Sequence, residues 1–189
     1  RLAYDEILAN LLVLSQVRKR IKKFKKIKKK FNNEYSKKII GNFKFDLTKN
    51  QINVIKEINN DLQSEYKMFR LLQGDVGSGK TIVSLIAAAN VIKSDWQVAL
   101  MAPTEILAKQ HYNLAREIFK SINIKIEFLS GNSDYKKKKI IRQNLLNKKI
   151  SLLIGTHALF QENIKFKDLG LVIIDEQHKF GVKQRIELS

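Results

Sequence analysis

From Asp46 onward the chain alternates two kinds of apolar spacing. Short, nearly continuous apolar runs at 68–73, 97–102, 124–130, 150–155 and 170–175 predict strands covered on both faces. Longer stretches at 48–63, 80–93, 104–120 and 134–147 predict helices, the first entered through Thr48 as its N-cap. Helical stretches separate the first four apolar runs, so a mainly parallel α/β sheet is expected. Such sheets bind ligands beyond the carboxyl ends of their strands. Upstream, Leu14, Val17, Ile21, Phe24, Ile27 and Phe31 recur at three- and four-residue spacing, which predicts one long helix over 2–31. Residues 32–44, with Asn32, Asn33, Gly41 and Asn42, are expected to form a loop. The expected division is a basic linker helix and loop over 1–44, then an α/β domain over 45–189.

Charge adds a partner class to that outline. The formal net charge is +18, from 36 Lys and Arg against 18 Asp and Glu. A polyanion such as nucleic acid is the natural partner for such a surface. The excess is unevenly placed, because Arg18 to Lys30 holds ten cations and no carboxylate. That stretch suits a membrane surface or nucleic acid, but a connecting helix with solvated lysines is preferred. The Lys136–Lys139 run is likewise read as a solvated helix face. There is no cysteine, which excludes disulfides and thiolate metal sites and suits a reducing cytoplasm. No apolar run approaches the roughly 20 residues that span a bilayer, and Asp5 and Glu6 interrupt any signal-peptide pattern.

The sharpest chemical signal is Gly74-Asp75-Val76-Gly77-Ser78-Gly79-Lys80-Thr81, placed between an apolar run and a helical stretch. This G-x-x-x-x-G-K-[ST] pattern is a phosphate-binding loop. Its glycines let backbone N–H groups close on phosphates, and the helix N-terminus adds a positive dipole end. Lys80 would reach the β- and γ-phosphates, and the Thr81 hydroxyl would ligate Mg²⁺. A second signal, Leu171-Val172-Ile173-Ile174-Asp175-Glu176-Gln177-His178, puts two carboxylates at the end of a buried run. Asp175 suits the Mg²⁺ shell and Glu176 suits proton abstraction from the attacking water. His111 and His157 lack the spacing of a structural metal site.

Asp175-Glu176-Gln177-His178 following Gly74–Thr81 resembles the Walker B box of superfamily 2 helicases and translocases. Leu47-Thr48-Lys49-Asn50-Gln51 is similar to their Q motif, which implies that Gln51 reads the adenine edge, with Phe45 stacked on the base. Met101 to His111 resembles motif Ia and Gly155 to Phe160 resembles motif Ib. The resemblance implies that Pro103, Thr104, Gly155, Thr156 and His157 touch the backbone of DNA. The RecG-type branch-migrating helicases share most. Leu2 to Asn10, Arg70 to Thr81, and Asp175 to Gly181 with Gln184 and Arg185 carry that likeness.

The resemblance implies a RecA-like P-loop domain with ATP and Mg²⁺ as cofactors. It further implies a DNA helicase acting on forks and Holliday junctions in repair and recombination. Such proteins also carry a wedge domain and a second motor domain with an arginine finger, and neither is in this sequence. The chain alone is therefore expected to bind Mg²⁺-ATP, hydrolyse it poorly and not unwind DNA, since an absent finger costs about 10³–10⁵ in turnover. A coupling-factor or PriA-like translocase, a non-catalytic nucleotide-binding remnant and a small-molecule kinase stay open as alternatives. Strand-tracking segments count against the kinase.

Overall fold

The computed structural model describes residues 34–43, 45–156 and 164–176. The long basic helix expected over 2–31 lies outside them. The chain divides into two compact units, one of residues 1–31 and 48–80, the other of 32–47 and 81–189.

In the first unit, helix α2 (Lys49–Gln63) starts at Thr48, as its sequence predicts. Thr48 Oγ1 accepts from Gln51 N at 3.2 Å, and Gln51 Oε1 accepts from Thr48 N at 2.9 Å. This reciprocal capping box satisfies two N–H groups that a helix start leaves over. Ile55, Ile58 and Leu62 form the buried stripe of the helix. The strand expected over 68–73 is not present: these residues carry no strand pairing. Phe69 and Leu71 are 52% and 64% exposed. Arg70 is instead drawn to α2, bonding Asp61 at 2.7 Å and Glu57 at 2.6 Å. The hydrogen bond to Asp61, and then that to Glu57, outweigh partial burial and hold its guanidinium above the ordinary pKa. An apolar run marks a wish for burial, and it becomes a strand only where a neighbour accepts its ladder.

The second unit opens with helix α1 (Glu34–Gly41), where the sequence suggests a loop. The turn-forming asparagines flank the helix rather than interrupt it. Its face is held by full burial of Ile39, and Lys93 reaches Glu34 at 3.2 Å and the Tyr35 ring at 4.9 Å. Helix α3 (Lys80–Lys93) begins with the last residue of the first unit and runs into the second. Then follow β1 (Gln97–Met101), α4 (Glu105–Ile118) with a 3-10 turn at Phe119–Ser121, and β2 (Ile126–Leu129). Helix α5 (Tyr135–Leu146), β3 (Leu152–Gly155) and β4 (Leu169–Ile174) complete the described part.

The four strands form one sheet in the order β2-β3-β1-β4. Every pairing is parallel, which agrees with the α/β reading. The central strands β1 and β3 are buried at every residue, whereas the edge strands are only partly covered. A core cluster joins Met101, Leu129, Ile141, Leu145, Ile150 and Leu153.

Buried Gln97 locks the amino end of the sheet. Its Nε2 donates to Leu145 O at 3.0 Å and Ile150 O at 2.8 Å. Its Oε1 accepts from Lys167 N at 3.0 Å and Asp168 N at 3.1 Å. Lys148 adds bonds to Asp95 and Asp168 at 2.6 and 2.7 Å. These bonds fix the amino end of the sheet.

Candidate nucleotide site and strand-end surface

The phosphate loop lies in the first unit. Gly77 and Gly79 have φ of +81° and +82°, a region that only glycine enters without strain. A Cβ on Gly79 would stand 2.5 Å from Gln51 Nε2, and one on Gly74 2.8 Å from Ser78 Oγ. Backbone conformation therefore favours glycine at 77 and 79, whereas a Cβ at 74 would require the Ser78 hydroxyl to turn aside. Ser78 N donates to Asp75 O at 3.2 Å and closes the turn. Val76, at the tip, is fully exposed. Lys80 Nζ donates to the carbonyls of Gly74 and Asp75, each at 2.7 Å. The ammonium is thus folded onto its own loop, the position of a charge held ready for an anion in a nest of N–H groups. Gln51 Nε2 donates to Ser78 O at 3.0 Å, so the glutamine expected to read adenine also ties α2 to the loop. Thr81 follows in the first turn of α3.

The remaining residues belong to the second unit. Because β1, β3 and β4 run parallel, their carboxyl ends bring three short segments to one end of the sheet: Pro103-Thr104, Gly155-Thr156 and Asp175-Glu176. Asp175 N donates to Met101 O at 2.8 Å, and Ala102 N donates to Gly155 O at 3.0 Å. Thr104 caps α4, its hydroxyl accepting from Leu107 N at 3.3 Å. Thr156 is buried, with 6% exposure. His157, Gln177 and His178 lie outside the described residues. Glu176 has φ of +50°, a left-handed conformation that costs a non-glycine residue of order 1 kcal/mol and gathers at functional sites.

Two polar side chains make contacts that the sequence does not announce. His111 is 8% exposed, and its Nε2 meets Asp175 Oδ2 at 2.7 Å. The signal for it was a polar residue on the apolar face of 104–120, between buried Ala108 and Ala115. Gln97 gave no such signal, since a strand tolerates glutamine at its first position.

The donor set fits a nucleotide-bound magnesium ion. The Thr81 hydroxyl and Asp175 carboxylate are hard oxygen donors of the kind magnesium takes. Among the described residues no group of three or more His, Cys, Asp or Glu side chains gathers into a metal cage. A cation held by this chain would share its shell with phosphate oxygens and water.

The DEAD/DEAH box helicase model matches residues 48–189. The chain belongs to that helicase family. Within it, the chain is similar to the ATP-dependent DNA helicase RecG of Thermotoga maritima, 46% identical over 98% of this chain and 24% of the relative. RecG of Aquifex aeolicus is 45% identical over 98% of this chain and 23% of its own length. A solved structure of RecG bound to a three-way DNA junction matches with a TM-score of 0.86 at 45% identity. It covers 96% of this chain and 25% of that one. The chain thus spans about a quarter of the length of the curated relatives it matches. Among the described residues no helix is long and apolar enough to cross a membrane.

Proposed function

We propose that this chain is the ATP-binding motor domain of a DNA helicase that remodels forks and four-way junctions. The observation that carries the reading is the RecG likeness over nearly the whole chain, supported by the presence in the sequence of the loop glycines, Lys80, Thr81, Asp175 and Glu176. Magnesium, when bound with ATP, neutralises charge developing on the β- and γ-phosphates.

The chain's own residues divide the remaining work. N–H groups of the loop orient the phosphates, and Lys80 donates to them in exchange for the Gly74 and Asp75 carbonyls. The Thr81 hydroxyl and the Asp175 carboxylate hold the metal. Glu176 takes the proton of the attacking water. Gln51 would trade its Ser78 bond for the adenine edge. Pro103, Thr104, Gly155, Thr156 and His157 would meet phosphates of branched DNA without reading bases. Helix α4 supplies N–H groups at its first turn for that purpose.

ATP turnover with and without forked DNA, in the protein carrying this chain, tests the reading. Turnover should rise with DNA, fall at least about 100-fold in Glu176→Gln while nucleotide binding persists, and vanish in Lys80→Ala. Turnover indifferent to all three would sink the helicase assignment.

A further inference from the structure

Asp175 is bonded on both sides of one short segment. Its backbone N–H donates to Met101 O, the last residue of β1. Its Oδ2 meets His111 Nε2 at 2.7 Å, two turns into α4. Between those anchors run Ala102, Pro103 and Thr104, the segment proposed to touch DNA. Ala102 N in turn donates to Gly155 O, the start of the second such segment. Thr104 and His111 share one helix seven residues apart, about 10 Å along its axis, and a rigid helix moved at one end carries the other.

A buried imidazole at this position is not explained by packing. Ala108 and Ala115, one turn to either side, are fully buried, and an aliphatic side chain would fill the space without a polar atom to satisfy. The ring is instead spent on a carboxylate, and carboxylate–imidazole pairs fix the orientation of both groups.

We propose that His111 is the positioning residue for the Asp175 carboxylate, and that it ties this carboxylate to the DNA-facing start of helix α4. The proposal rests on reading Asp175 as the magnesium-shell acid. His111 touches neither nucleotide nor metal. It fixes the rotamer in which Asp175 presents itself, and a shift of Thr104 against a phosphate reaches Asp175 through it.

The test measures how strongly magnesium tightens binding of a fluorescent ATP analogue to the full chain. In His111→Ala that tightening should drop about tenfold, as for other partners of metal-binding side chains. His111→Gln, which offers an amide nitrogen near the place of Nε2, should recover most of it. His111→Asn is too short to reach and should not, which keeps the test open if the alanine variant fails to fold. Asp175→Asn should abolish the tightening. If Asp175→Asn leaves it intact, the metal reading itself fails; if only the His111 variants leave it intact within twofold, the positioning role fails. For the DNA link, forked-DNA affinity should differ about fivefold or more between the Mg²⁺-ATP-bound and nucleotide-free protein. That difference should collapse to within twofold in His111→Ala. A difference absent from the wild type, or intact in the variant, overturns the tie.

Discussion

Single side chains do unequal work here, and the sequence exposes only some of it. Gly77 and Gly79 are legible because a fixed motif demands them, and their positive φ angles give the physical reason. Gln97 is not legible, since its role depends on the end of α5 and on a loop, which arrive 48 and 70 residues later in the chain. One amide satisfies four backbone groups there. Replacing it with leucine should cost about 2–4 kcal/mol, because Ile150 O, Lys167 N and Asp168 N lose the amide, while Leu145 O keeps Lys148 N. Urea unfolding of Gln97→Leu against wild type measures this. A loss under about 0.5 kcal/mol, the range of ordinary surface changes, would mean that water replaces the amide. His111 lies between these cases: it ends the segment that resembles motif Ia, but its partner Asp175 stands 64 residues away in the chain.

Elements were legible where their periodicity was long and their caps were local. Helix α2 appears with the expected Thr48 cap, and α4 and α5 fall within the expected bounds. Two elements differ from their sequence pattern for opposite reasons. Residues 34–41 are a helix because tertiary burial of Ile39 outweighs flanking turn residues. Residues 68–73 lack strand pairing although their run is mostly apolar, because pairing needs a neighbour that composition does not reveal. Packing between α3 and β4 is equally invisible in a pattern of types. A Cβ on Gly170 would stand 2.6 Å from Trp96 Cβ and 2.8 Å from Val91 Cγ1, closer than side-chain carbons approach. Gly170→Ala is therefore expected to force strand and helix apart and destabilise by about 1–3 kcal/mol. A thermal midpoint unchanged from wild type would show that the contact relaxes at no cost.

At the scale of the molecule, composition and compactness draw different lines. Composition separates a basic stretch before residue 45 from the rest, whereas chain contacts gather 32–47 with 81–189. The family assignment depends on neither, because it rests on the pattern of residues over 48–189. Charge, by contrast, is a property of the whole. With +18 formal charges, binding to forked DNA should weaken steeply with salt, with a log–log slope steeper than about −3. A slope near zero would mean that the cations are solvated and take no part in holding DNA.

A motor domain of this kind must grip a triphosphate through its glycine loop. Titrating the fluorescent ATP analogue with magnesium against wild type and Lys80→Ala tests this directly. Saturable binding that depends on magnesium and weakens at least about tenfold in the variant is expected, as befits loss of a charged phosphate contact. Equal affinity in both proteins, or no binding by a folded wild type, would contradict it.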